Sequence, residues 1–182
     1  DRIEAGTYVI IGALLGKDLK ITDIIPTHIE SLTSKLKEMG VKLNIEDNLI
    51  TINCCENLKP ISIKSLVYPG FPTDLGQPIT ALLTQCNGIS FFEETIFENR
   101  IGHIAELNKM GAKIENKQMD SIIHGKTNLV GCEVKSTDLR AGAALVIAGL
   151  IAKGETIIDD AEHILRGYEN LTDKLRAVGA DI

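Results

Sequence analysis

No tryptophan occurs in this chain of 182 residues, and it has only three tyrosines and four phenylalanines. Its core must therefore be built from aliphatic side chains. Basic residues are also in deficit: the net charge of −6 argues against a nucleic-acid footprint or a basic membrane-binding face. The four cysteines (Cys54, Cys55, Cys86 and Cys132) show no CxxC spacing, which excludes the common zinc and dithiol motifs. Buried or unreactive thiols in a cytosolic protein fit them better. No apolar run is long enough to span a bilayer. The longest, Ala141 to Ala152, is interrupted by Gly142 and Gly149. Walker-type and dinucleotide-type glycine loops are absent, and His28, His103, His124 and His163 lie too far apart for a metal motif. These absences predict a protein with no metal, no cofactor, no nucleic-acid partner and no membrane span. The opening Asp1-Arg2-Ile3-Glu4 lacks the basic start and apolar follow-on of a secretory leader, and the chain begins without Met. The expectation is a fragment or a processed product.

What remains is an ordinary globular composition, 44% hydrophobic and 24% charged, in a length that suits one domain. Within it lies a repeat. Leu36-Lys37-Glu38-Met39-Gly40-Val41-Lys42-Leu43 recurs as Leu107-Asn108-Lys109-Met110-Gly111-Ala112-Lys113-Ile114. It returns as Leu175-Arg176-Ala177-Val178-Gly179-Ala180-Asp181-Ile182. The three glycines, roughly 70 positions apart, stand where helices should end in a left-handed residue. About 40 residues before each lies an aspartate (Asp1, Asp74 or Asp138), followed by an apolar, helix-like run. Strand-like segments, an amphipathic helix and a hairpin follow, with turns at Asp47-Asn48 and Gln118-Met119-Asp120. Linking strands are expected at Ile61–Leu66 and Cys132–Lys135.

This order predicts an α/β domain spanning 1–182, made of three helix-strand-helix-strand-strand units at 1–66, 67–135 and 136–182. The third unit stops inside its first closing strand, so something outside the chain should complete that sheet. Helices apolar nearly all round belong at the centre, giving a pseudo-threefold domain with its sheets outside. Parallel packing would bring the three helix starts to one face, where dipole ends and free N–H groups favour anions.

Several residues on that face invite chemistry. Asp74, in Phe71-Pro72-Thr73-Asp74-Leu75, is either a helix N-cap or a ligand-facing carboxylate. Thr95-Ile96-Phe97-Glu98-Asn99-Arg100 crowds polar groups before the next helix. Arg140 breaks the repeat at a helix start, where a cation opposes the dipole. That placement implies a bound anion or a salt bridge to Asp138 or another acid. Arg166 replaces the histidines of the other copies, His28 and His103, beside Gly167. The histidines themselves are expected to satisfy helix-start hydrogen bonds. Glu93-Glu94 and Asp159-Asp160 read as solvated strand edges.

Phe71-Pro72-Thr73-Asp74, Thr95–Arg100, Thr137-Asp138-Leu139-Arg140-Ala141, Arg166-Gly167-Tyr168-Glu169 and Asp1–Thr7 together resemble the UDP-N-acetylglucosamine 1-carboxyvinyltransferase family of enolpyruvyl transferases. The resemblance covers essentially the whole chain, in order. It implies one of that family's two inside-out α/β barrel domains, with the substrates held between the two. It further implies transfer of enolpyruvyl from phosphoenolpyruvate to the 3′-hydroxyl of UDP-N-acetylglucosamine, with phosphate release. That reaction is the first committed step of peptidoglycan synthesis, in the bacterial cytoplasm.

By matching motif, Asp74 would contact the sugar hydroxyl as candidate general base, and Ile96 would contact the sugar nucleotide through its backbone. Arg140 and Arg166 would engage phosphoenolpyruvate and stabilise charge as the adduct forms. The family's reactive cysteine belongs to the other domain, and none of the four cysteines here stands in its motif, so the chain alone is expected to be inactive. The competing readings are a 3-phosphoshikimate carboxyvinyltransferase-like domain, which the Thr95–Arg100 stretch disfavours, and a non-catalytic sugar-nucleotide-binding module. An RNA 3′-phosphate cyclase-like fold is set aside by the acidic charge and the lack of its motif.

Overall fold

Three apolar helices lie at the centre of the computed structural model, which describes all 182 residues. They are α1 (Arg2–Leu15), α3 (Gly76–Leu83) and α5 (Leu139–Ile151). Every residue of α3 is buried, as is α5 from Ala141 to Ala148. Such burial is what their largely apolar sequences require, since none has a continuous polar face to turn to water, and in α3 the polar Gln77 and Thr80 are buried with the rest. Each of the three touches the other two, and α3 packs most extensively on α5. Pro78 sits in the first turn of α3, where its missing N–H leaves no bond unmade.

Three sheets pack against these helices. The first joins β1 (Leu19–Thr22), β3 (Leu49–Ile52) and β2 (Leu43–Glu46) in antiparallel register, with Leu19 and Leu43 both opposite Ile52. The second has the order β4 (Ser62–Lys64), β5 (Ile89–Glu93), β7 (Asp120–His124) and β6 (Ile114–Lys117). Here β4 runs parallel to β5, and β5 runs antiparallel to β7. The third contains only β8 (Glu133–Lys135) and β9 (Ile157–Asp159), parallel, with Val134 opposite Ile158. Strand expectations were a few residues too generous at their ends, and residues 180–182 form no strand. A strand exists only where a neighbour accepts its ladder bonds, and none is paired with that segment.

The outer helices are α2 (Glu30–Glu38), α4 (Gly102–Lys109), the single turn α6 (Glu162–Leu165) and α7 (Leu171–Ala177). Gly40, Gly111 and Gly179 follow α2, α4 and α7 with φ of 98°, 96° and 94°. In each case the next residue's N–H bonds back five residues: Val41 to Leu36, Ala112 to Leu107, Ala180 to Leu175. This is the Schellman closure, open to glycine because a left-handed residue with a Cβ is strained. One hydrophobic core joins all of these layers. No helix is long and apolar enough to cross a membrane.

Candidate functional site

The starts of the three central helices are not alike. Asp1 caps α1, its carboxylate accepting from the N–H groups of Ile3 at 2.6 Å and Glu4 at 3.0 Å. Asp138 caps α5 in the same way, accepting from Arg140 N–H at 2.8 Å and Ala141 N–H at 2.9 Å. Asp74 caps nothing. A 3-10 turn, Thr73–Leu75, intervenes before α3, and the capping position falls on Leu75, which offers no side-chain acceptor. The N-cap reading of Asp74 is thereby overturned, because the turn sets its carboxylate too early to reach the α3 amides.

That carboxylate meets two guanidinium groups instead. Oδ1 lies 2.8 Å from Arg100 Nη2, and Oδ2 lies 3.3 Å from Arg140 Nη2. The Asp74 side chain remains 35% exposed, whereas that of Arg140 is 13% exposed. Arg140 thus pairs with an acid 66 residues earlier rather than with Asp138, whose oxygen is committed to the α5 amides. Its Nη1 also lies 3.4 Å from Tyr168 Oη, with the guanidinium carbon 5.8 Å from that ring's centroid. Tyr168 is fully buried, and its hydroxyl is 3.0 Å from Thr7 Oγ1 on α1. One arginine therefore ties together the starts of all three central helices. The Asp138 cap and the Asp74 carboxylate offset the cost of a cation at the positive end of a helix.

A second set of contacts runs from the same carboxylate to β5. Arg100 donates through Nη1 to Thr73 Oγ1 at 2.8 Å and lies over the Phe97 ring, 4.8 Å from its centroid. Thr73 donates to Glu94 Oε2 at 2.7 Å. Glu94 is only 5% exposed, so its reading as a solvated edge is wrong. Strand alternation carries the signal that reading missed: Ser90 and Phe92 point inward, and Glu94 continues that face. Glu93, on the other face, pairs with Lys64 at 2.7 Å in the open. Arg100 and Thr73 belong to the Thr95–Arg100 and Phe71–Leu75 motifs, but spacing along the chain does not show that they meet.

Ile96 lies on the far side of Glu94. Its N–H donates to Glu94 Oε1 at 2.8 Å, and its side chain is half exposed. Asp74, Arg140 and Ile96 are thus brought into one connected network. Arg166 is not: it follows α6 as its C-cap, is exposed, and its side chain makes no hydrogen bond or ion pair. Its loop nevertheless abuts α5. A Cβ on Gly167 would stand 2.6 Å from Leu139 Cδ2, so glycine there permits close packing on the residue before Arg140.

The histidines do not act as helix-start partners. His103 is 3% exposed and neither ring nitrogen has a partner. Burial pushes its pKa down to about 4, with Asp138 opposing the shift and Arg100 adding to it. His28 packs edge-on to Tyr68, and the only ring nitrogen with a partner is that of half-buried His124, 3.0 Å from Glu115. No three His, Cys, Asp or Glu side chains converge as a metal site would need.

The site's chemistry is therefore a half-exposed carboxylate held between two cations, beside a loop pinned by a buried acid. Such a place suits a hydroxylated, anionic ligand. Residues 1–175 match the family described as EPSP synthase (3-phosphoshikimate 1-carboxyvinyltransferase). The chain is 52% identical over 182 residues to UDP-N-acetylglucosamine 1-carboxyvinyltransferase 2 of Listeria monocytogenes. It is 52% identical over 183 residues to the Bacillus subtilis protein of the same name. Both matches take in all of this chain but only 43% of the relative. Among solved structures, the enolpyruvyl transferase NikO from Streptomyces tendae matches with a TM-score of 0.89 at 26% identity, over 100% of this chain and 43% of that one. EPSP synthase from Acinetobacter baumannii, at 18% identity and a TM-score of 0.74, covers the same shares and bears on the fold alone. The chain belongs to the EPSP synthase family of carboxyvinyltransferases.

Proposed function

We propose that this chain is one domain, residues 1–182 in units 1–66, 67–135 and 136–182, of a UDP-N-acetylglucosamine 1-carboxyvinyltransferase. The enzyme moves enolpyruvyl from phosphoenolpyruvate to the 3′-hydroxyl of UDP-N-acetylglucosamine and releases phosphate, in the bacterial cytoplasm, as the committing step of peptidoglycan synthesis. The 52% identity to relatives bearing that name supports the choice of acceptor over a shikimate phosphate. The observation that carries the site is the Asp74 carboxylate, withdrawn from capping and held between Arg100 and Arg140.

In this reading Asp74 receives the sugar hydroxyl, aligning it and taking its proton as the new C–O bond forms. The two guanidinium groups fix the direction in which its oxygens point. Arg140 meets phosphoenolpyruvate beside the amino end of α5, and Arg166 reaches the same anion from its exposed turn. Both stabilise charge that grows in the tetrahedral adduct. Ile96 meets the sugar nucleotide through its backbone carbonyl, since its N–H is committed to Glu94. The reactive cysteine and further cations come from the other domain, which is this chain's partner.

The test is phosphate release from phosphoenolpyruvate with UDP-N-acetylglucosamine or shikimate 3-phosphate as acceptor. The chain alone should be silent, and mixing with the separately made other domain should restore turnover with the sugar nucleotide only. Turnover by the chain alone would overturn the shared-site reading. Turnover with shikimate 3-phosphate would overturn the acceptor.

A further inference from the structure

Glu94 is the most heavily used side chain near the site, and no step above assigns it a part. It stands just past the end of β5, 5% exposed, between the segment carrying Asp74 and the segment carrying Ile96. Oε1 accepts from Ser65 Oγ at 2.7 Å, Ile96 N–H at 2.8 Å and Phe97 N–H at 3.3 Å. Oε2 accepts from Thr73 Oγ1 at 2.7 Å. Ser65 Oγ in turn accepts from Thr95 N–H at 2.8 Å.

The direction of these bonds matters as much as their number. A threonine hydroxyl has one hydrogen. Because an ionised Glu94 only accepts, Thr73 spends its hydrogen there and keeps lone pairs for Arg100 Nη1, 2.8 Å away. With Nη1 on Thr73, the other arm of the Arg100 fork falls on Asp74 Oδ1 at 2.8 Å. One oxygen of Glu94 thus sets the Asp74 carboxylate, through two intermediaries, while the other sets the 95–97 loop directly. Charge-assisted bonds of this kind, shielded from water, are the ones that hold geometry tightly.

We infer that Glu94 is a positioning residue. It fixes the spacing between the carboxylate that takes the acceptor hydroxyl and the backbone that grips the rest of the sugar nucleotide. This rests on the function proposed above. Glutamine at this place cannot reproduce the pattern. Its amide nitrogen is a donor, and whichever way it turns, it faces either Thr73, whose hydrogen then loses its acceptor, or the donors Ser65, Ile96 and Phe97.

The experiment is steady-state kinetics of the full-length protein with Glu94→Gln, Thr73→Val, Thr73→Ser and the Glu94→Gln/Thr73→Val pair. Glu94→Gln should raise KM for the sugar nucleotide about tenfold and lower kcat, with KM for phosphoenolpyruvate unmoved. Thr73→Val should lower kcat alone, and Thr73→Ser should restore it. The pair should lose less than the product of the single effects, because both act along one chain of bonds. Glu94 would be merely structural if both KM values stayed put, if losses followed the folded fraction, or if the pair were multiplicative. Should Glu94→Gln not fold, multiplicity is replaced by the Thr73 pair: equal kcat for Thr73→Val and wild type would overturn the inference. A wild type that fails to turn over the sugar nucleotide removes the functional reading and this one together. A normal wild type beside an unaltered Glu94→Gln removes only this one.

Discussion

Asp138 and Asp74 hold the same place in the repeat and do opposite things. Asp138 turns its carboxylate onto the α5 amides and is consumed by its own helix. Asp74 is pushed off that duty by the turn Thr73–Leu75 and faces two cations contributed by other parts of the chain. Asp1 sides with Asp138. A repeat supplies a default role for each position, and the copy that departs from the default is where a second requirement has won. The departure leaves α3 without a side-chain cap, which other caps suggest costs about 1 kcal/mol. The two partly exposed ion pairs that Asp74 makes instead, to Arg100 and Arg140, offset some of that cost.

The comparison is broken most forcefully by Asp74→Asn in the full-length protein. Asparagine keeps the shape but neither the charge nor the capacity to take a proton. If Asp74 is the base in the function proposed above, turnover with UDP-N-acetylglucosamine should fall by about a hundredfold or more, the usual scale for loss of a general base. Stability should move by no more than about 1 kcal/mol, since the two ion pairs are partly open to solvent. Steady-state kinetics beside urea denaturation separates the two effects. Near-normal turnover would make Asp74 a plain ion-pair partner and return it to the level of Asp138.

His103 is buried on α4, with Arg100 and Asp138 as the charged groups that bear on it. Its folded pKa of about 4 is depressed from 6.5, so the ring is neutral in both states above pH 6.5. As pH falls below 6.5 the unfolded chain gains a proton that the folded chain refuses, and stability drops until about pH 4. The shift corresponds to roughly 3 kcal/mol. Urea midpoints measured from pH 7 to pH 4 should fall more steeply for wild type than for His103→Leu. Parallel curves would mean that the ring finds a partner or water in solution.

Much of the fold was legible because its signals are local and repeated. The glycine after each outer helix is demanded by a backbone angle, and all three occupy it. Apolar runs without a polar face had to be central. Pairwise meetings across the repeat were not legible: Arg140 with Asp74 and Tyr168 with Thr7. Each depends on how helices from different copies lie together, which spacing along the chain does not encode. Glu94 is different. Alternation from Ser90 and Phe92 placed it inside, and the adjacency of Glu93 obscured this.

The smallest effect tests the capping half of the comparison. Asp138→Ala leaves the Arg140 and Ala141 amides without their acceptor and should cost about 1 kcal/mol, whereas Asp138→Asn should cost only a few tenths. Asp74→Ala removes no cap, so its cost lies in ion pairs alone and should shrink as salt is raised. The Asp138→Ala cost, set by amide hydrogen bonds at a fixed distance, should hold far more steady over the same range. Urea midpoints at low and high ionic strength, with unchanged slopes, give both numbers. If the two aspartates responded to salt alike, the capping bonds at Asp138 would be contributing little, and the contrast between the copies would rest on turnover alone.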